Sequence, residues 1–220
     1  MASSPHRILL INPNSNAATT AMMVAIAKSA AAEAFDIIGA TATRAPMMIV
    51  SADALEAAAS EVEEIALAHQ GSCDGIIVSA FGDPGLAAIK AEMKLPAVGI
   101  GESSMLVAAE GGRRFGVATT TPLLKAKIDA LADALGLRSH YTGCRFAGRD
   151  PQELMRDPPR LRTALAGAVD ACIEHDRAEA VIIGGGPLGE AARDLQPMFA
   201  VPVIAPVPSA VARMMRLINT

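Results

Sequence analysis

The sequence predicts an α/β fold: two pseudo-symmetric three-layer lobes with parallel sheets and an active-site cleft between them. Three observations predict it. Short, continuous apolar runs alternate with longer helical stretches from end to end, and such runs belong to parallel strands covered on both faces. The same succession of motifs occurs twice, at an offset of about 106 residues. The predicted strand ends carry Asn, Ser, Thr and Gly but neither Lys nor Arg.

In chain order, Arg7 to Ile11 is a buried strand that stops at Asn12-Pro13-Asn14-Ser15-Asn16, a turn-forming cluster. Thr19 or Thr20 is expected to cap a helix through about Phe35, and Asp36 to Ala40 reads as the next strand. Asp53 and Glu56 have capping-box spacing and predict one helix to about Gln70. Gly75 to Ser79 and Ala97 to Ile100 complete the first set of strands. The second set begins at Arg114 to Ala118, after which Pro122 occupies a first helical position and Gly136 ends that helix. His140 to Phe146 reads as a strand, Asp150 to Arg160 as a Pro-rich charged loop, and Leu161 to His175 as a helix. Glu179 to Gly184 and Val203 to Ala205 are strands, and Ser209 is expected to cap the last helix, to about Leu217.

The repeat is legible in single motifs. Gly75 to Ser79 followed by Gly82-Asp83-Pro84-Gly85-Leu86 corresponds to Ala180 to Gly184 followed by Gly185-Gly186-Pro187-Leu188-Gly189. Leu95-Pro96-Ala97-Val98 corresponds to Val201-Pro202-Val203-Ile204. A chain of 220 residues divides naturally into two units of about 100 residues each, expected at 1–105 plus 206–220 and at 106–205.

Composition removes several classes of function. The net charge is −4, with one Tyr and no Trp, so the basic face and stacking aromatics of a nucleic-acid binder are missing. The apolar stretch Ala21 to Ala32 is interrupted by Lys28 and followed by Glu33, short of the ~18 apolar residues of a membrane span. Arg7 precedes only four apolar residues, too few for a secretory core. Cys73, Cys144 and Cys172 are widely spaced without a CxxC pair, which fits reduced thiols in a cytoplasm. No residue set has metal-ligand spacing, and Ser104 interrupts a dinucleotide fingerprint after Gly99-Ile100-Gly101. Neither a metal nor a dinucleotide is therefore expected. The expected partner is a small molecule, with no nucleic acid and no membrane; the Met-rich helices around residues 20 to 27 and 211 to 217 suggest a homo-oligomer, although Ala and Met stripes more often belong to a core.

Ligands of parallel sheets bind beyond the carboxyl ends of the strands. The loops there supply the candidate binding residues: Asn12, Asn14, Ser15, Ser79, Ala80, Phe81, Thr119, Thr120, Gly185 and Gly186. Neutral amides, hydroxyls and backbone N–H groups suit a small carboxylate or cyclic amide rather than a polyphosphate. Asp83 and Glu102 are the candidate catalytic acids. Asp83 reads either as a helix N-cap or as a general base, and Glu102 as a first-turn helix acid or a second base.

Ile11-Asn12-Pro13-Asn14-Ser15-Asn16 with Thr19-Thr20, together with Phe81-Gly82-Asp83-Pro84-Gly85-Leu86, resembles motifs of the Asp/Glu/hydantoin racemase superfamily, notably its hydantoin and allantoin racemases. Gly99-Ile100-Gly101-Glu102, Thr119-Thr120 and Gly184-Gly185-Gly186-Pro187-Leu188 are similar as well. The resemblance implies an active site between two related domains and a cofactor-independent reaction. In it one thiolate removes a proton from an acidic carbon and a second thiol returns one on the opposite face. It also implies that the two thiol positions are held here by Ala80 and Gly185, neither of which can carry a proton. What remains is enolate-type chemistry on a small carboxylate or hydantoin-like ring, a lyase or hydrolase step on the same fold, or ligand binding without catalysis.

Overall fold

The structure is a computed structural model that describes residues 5–31, 33, 35–148 and 150–219. Its two sheets have the same plan. In the first, β1 (His6–Asn12), β2 (Phe35–Thr41), β3 (Gly75–Val78) and β4 (Ala97–Gly99) lie in the order β2-β1-β3-β4. In the second, β5 (Phe115–Thr119), β6 (Tyr141–Phe146), β7 (Ala180–Gly184) and β8 (Val203–Ile204) lie in the order β6-β5-β7-β8. All neighbouring pairs are parallel. Ile11 pairs with Val78, and Thr119 with Gly184, so in each sheet the two central strands end level with each other.

Parallel strands need crossovers, and helices cover both faces of each sheet. On one face of the first sheet, Ile8, Leu10, Ile37 and Ile77 pack against α1 (Ala17–Ala30) and α10 (Pro206–Ile218) through Met23, Ala27, Val207, Val211 and Met214. On the other face, Leu9, Ile11, Ile76 and Val78 meet α3 (Ala59–His69) and α4 (Leu86–Glu92) through Val62, Ala66, Leu86 and Ile89. This alternation is the period of two of a strand buried on both sides. The second sheet has α8 (Pro158–Glu174) and α9 (Gly189–Leu195) on one face, where Cys172 is wholly buried. Its other face receives α6 (Lys125–Ala134) and α5 (Ile100–Ala108). Met105 and Ala108 of α5 pack with Phe115 and Ile182, so a helix that follows the first sheet in sequence forms part of the core of the second.

Several expected boundaries move, each for a local reason. Asn16, not Thr19 or Thr20, caps α1, its side chain accepting from the N–H groups of Ala18 and Thr19. The helix expected to run to Phe35 ends at Ala30, and Phe35 opens β2; residues 32 and 34 lie outside the described residues. Ser51, not Asp53, caps α2 (Ala52–Ala57), and the single helix expected to Gln70 is divided at Ala58 into α2 and α3. The stretch Asp150 to Arg160 is not a loop: Asp150 caps α7 (Pro151–Met155), and Asp157 caps α8. Each Asp-Pro pair places a side-chain acceptor before a residue that needs no N–H partner, which is a helix start. Ser209 lies inside α10, donating to the Ala205 carbonyl, and the helix begins at Pro206. No helix among the described residues is long and apolar enough to cross a membrane.

Phe115 is among the largest fully buried side chains. Its truncation in Phe115→Ala is expected to cost about 3–5 kcal/mol of unfolding free energy, measured by urea denaturation with an unchanged m-value.

Candidate functional site

Four loops converge where the central strands end. At the end of β1, Asn12 is buried and its Nδ2 donates to Asn14 Oδ1 at 3.0 Å and to Thr20 Oγ1 at 2.9 Å. Asn14 Oδ1 also accepts from the Asn16 N–H at 2.9 Å. With that oxygen engaged, the amide nitrogen is the group Asn14 can offer to a ligand. At the end of β3 come Ser79, whose Oγ lies 3.1 Å from Met23 Sδ, and then Ala80 and Phe81. At the end of β5, Thr119 Oγ1 donates to the Gly184 carbonyl at 2.7 Å, tying this loop to the one after β7.

These loops enclose a cavity of about 90 Å³. Asn14, Ser79, Ala80, Phe81, Thr120, Gly185 and Gly186 all line it. Asn12, Ser15 and Thr119 do not; Asn12 and Thr119 are buried behind the lining and bond within and between the loops, while the half-buried Ser15 donates its N–H to the Pro46 carbonyl at 3.2 Å. Thr121, in the same candidate strand-end loop as Thr119 and Thr120, is a further lining hydroxyl. Met48, Ile49, Leu55, Leu124 and Met155, all outside the candidate loops, were missed, and with Leu188 of the fourth loop they make most of the wall apolar. Nothing in an apolar residue's own sequence context marks it as facing a cavity. Among the described lining residues no side chain is ionisable. A larger groove of about 550 Å³ between α1 and α9 contains none of the strand-end loop residues.

The two candidate acids are engaged elsewhere. Asp83 is buried, and its Oδ1 and Oδ2 accept the Gly101 and Glu102 N–H groups at 2.8 and 2.6 Å. It is a helix cap, but of α5, not of the helix that follows it. A Cβ at Gly99 would lie 2.1 Å from Asp83 Cγ, so glycine there is the condition for this approach. Burial pushes the Asp83 carboxyl up to about 7 against the pull of the two N–H donors, with the Glu102 charge adding to the rise and Lys90 opposing it. Glu102 in turn accepts from Lys90 Nζ at 2.8 and 2.7 Å and lies 3.8 Å from Arg213 Nε. Neither carboxylate lines the cavity.

The apolar wall depends on another carboxylate. The segment from Ala42 to Val50 follows β2 and supplies Met48 and Ile49. Buried Glu61, on α3, accepts from the Thr43 N–H at 2.6 Å, from Thr43 Oγ1 at 2.9 Å and from the Arg44 N–H at 3.0 Å. Burial works to raise its pKa, but the N–H donors of Thr43 and Arg44 prevail and hold it below the usual value.

None of the three cysteines lines the cavity. Cys73 lies at the opposite, amino-terminal end of β3, and Cys172 is core, its thiol pushed up to about 12 by burial. Cys144 lies on β6, where its thiol contacts Tyr141 Oη at 2.9 Å while Tyr141 donates to Asp129. Burial pushes the Cys144 thiol up to about 11, which keeps it protonated and unreactive. His140 Nδ1 meets the Gly112 carbonyl on the surface, His69 ends α3, and His175 caps the C-terminus of α8. Glu190 is exposed on α9. Among the described residues no group of three or more His, Cys, Asp or Glu is arranged to hold a metal.

The model of the Asp/Glu/Hydantoin racemase family matches residues 8–214. A hydantoin racemase from Pseudomonas sp. is 31% identical over 199 residues, covering 90% of this chain and 80% of the relative. A hydantoin racemase from Rhizobium meliloti is 30% identical, covering 93% and 85%. Among solved structures, the allantoin racemase from Klebsiella pneumoniae superimposes with a TM-score of 0.91 at 26% identity, over 97% of this chain and 88% of that one.

Glu61→Gln keeps one acceptor and places an N–H₂ donor against a backbone donor. The expected cost at pH 7 is about 1–3 kcal/mol, read by urea denaturation. Because Glu61 is held below its ordinary 4.5, its contribution is present above that pH and is lost as pH falls through the lower folded value. The gap between wild type and variant should therefore close in acid.

Proposed function

Since the chain belongs to the Asp/Glu/hydantoin racemase family, we propose that its cavity binds a small carboxylate or hydantoin-like cyclic amide and performs enolate-type chemistry without a cofactor. The observation that carries this reading is a set of neutral polar groups, Asn14, Ser79, Thr120 and Thr121, on one small cavity at the ends of both sheets; the Ser79 hydroxyl donates to Met23 Sδ and the Thr121 hydroxyl to Thr119, which leaves the Asn14 amide nitrogen and the Thr120 hydroxyl as the side-chain donors. Fixed neutral donors aimed at growing negative charge stabilise an enolate without first needing to lose a tightly held counter-ion. The backbone around Gly185 and Gly186 adds to them.

A racemase of the two-thiol kind needs a proton carrier on each face of the substrate carbon. Ala80 and Gly185 stand where the resemblance puts those carriers. With no ionisable lining side chain among the described residues, the reaction that fits is one needing no protein base. Loss of CO₂ from an activated carboxylate is such a step: the C–C bond breaks, its electron pair becomes the enolate, and water supplies the proton. Hydrolysis with Asp83 or Glu102 activating water is disfavoured, because both carboxylates are bonded away from the cavity. A non-catalytic binder of the same ligands is the second reading, favoured by the same lack of ionisable groups.

NMR in D₂O separates these readings. The protein is incubated with hydantoins, amino acids and substituted malonates, and the carbon-bound protons and carboxylates are followed. CO₂ loss with deuterium taken up at the carbon that carried it is the expected result, and deuterium exchange without CO₂ loss would overturn the base-free step. Saturable shifts without turnover would favour the binder, and no binding of any of them would sink both readings. Thiol restoration should be asymmetric. Ala80→Cys extends an existing Cβ and should leave stability nearly unchanged. Gly185→Cys places a Cβ at φ +153°, 3.0 Å from Leu188 Cδ1, and should cost about 1–3 kcal/mol in denaturant unfolding.

A further inference from the structure

Asp83 is the one non-glycine residue of the cavity loops held at positive φ, +52°, a region that Asp enters more readily than most L-residues. Two residues before it stands Phe81, and three before it Ala80, both on the cavity wall; the Asp83 N–H closes the turn onto the Ala80 carbonyl at 3.0 Å. What holds this turn is the carboxylate, pressed onto the first turn of α5 by the Gly101 and Glu102 N–H groups. A Cβ at Gly101 would lie 2.9 Å from Asp83 Oδ2, so the approach is as close as the backbone permits. The helix has no side-chain cap of its own at Gly99. Farther along, Met105 and Ala108 of α5 pack with Phe115 and Ile182 under the second sheet. The carboxylate thus connects the wall formed by Ala80 and Phe81 to a helix embedded in the lobe that supplies the opposite wall at Gly185.

We propose that Asp83 is a positioning residue of the cavity: its ionised carboxylate fixes the Ala80–Phe81 wall to α5, and protonation loosens that link and weakens ligand binding. The weakened binding rests on the function proposed above; the mechanical link does not. A protonated carboxyl keeps one good acceptor, and its hydroxyl meets an N–H group, so one of the two bonds is lost. The charged groups facing it are few. Glu102, on α5, raises its proton affinity, and Lys90, on α4, lowers it. Arg213, on α10, stands behind Glu102 at 3.8 Å. From α6 the neighbour at Gly101 is the apolar Leu131. Burial places the titration at about 7, inside the range where pH can act on a folded protein.

The test is an NMR titration of the ¹⁵N-labelled full chain from pH 5 to 9, with and without hydantoin as the probe. The Gly101, Glu102, Ala80 and Phe81 amides should titrate together with one midpoint near 7, and Asp83→Asn should abolish that transition. Hydantoin affinity should fall several-fold from pH 8 to pH 6 in wild type and stay flat in the variant. If Asp83→Asn does not fold, Lys90→Gln serves: loss of the nearby positive charge should move the shared midpoint upward at all four amides. Movement of the Gly101 and Glu102 amides without Ala80 and Phe81 would overturn the link, as would survival of the transition in Asp83→Asn. Hydantoin binding with equal affinity at both pH values would overturn the pH control. Failure of hydantoin to bind at any pH would count against the proposed function alone, since the amide titration still decides the link.

Discussion

A parallel strand can be followed by another only if the chain crosses back over a face of the sheet, and this single constraint organises the molecule. It places helices on both faces and directs every loop at a strand's carboxyl end toward the same side. Repeated in two sheets of identical order, it puts four such loops together. The level ends of β1 with β3 and of β5 with β7 keep those loops at one depth. Residues outside those loops, Met48, Ile49, Leu55, Leu124 and Met155, complete the cavity wall.

The loops then need internal support, because a turn rich in Gly, Asn and Thr carries little packing of its own. Buried polar groups that never touch the cavity supply it. Asn12 organises the first loop by bonding Asn14 and Thr20, Thr119 ties the third loop to the fourth, and Glu61 holds the segment that brings Met48 and Ile49. Asp83 does the same for the second loop through α5. Each of these groups is buried and hydrogen-bonded, the condition under which a buried polar group rigidifies its surroundings instead of destabilising them. The lining itself is left with neutral donors and apolar side chains.

The candidate acids illustrate why a residue's type is weaker evidence than its neighbours. Asp83 and Glu102 lie in sequence positions suited to a helix start, and both serve that end of α5, one as the cap and one as the partner of Lys90. Their shared location is a structural network beside the cavity and not on it. The same holds for Asn12, Ser15 and Thr119, whose sequence neighbours line the cavity while they do not. Along a loop, successive residues point in different directions, and composition does not say which one faces inward.

The sequence by itself determined the alternation of strand and helix, the duplicated motif order and the loops that meet at the site, because apolar period and Gly/Asn/Thr turns are local properties of the chain. It did not reveal the Asp-Pro helix starts at α7 and α8 as such, the break at Ala58, or the caps at Asn16 and Ser51, since competing cap residues two to four positions apart are settled by packing. Only the tertiary structure decided that Asp83 reaches across to α5, that Glu61 holds the segment after β2, and that Leu124 and Met155 close the wall. These are contacts between segments far apart in sequence, and they form because the sheets fix the ends of those segments in space.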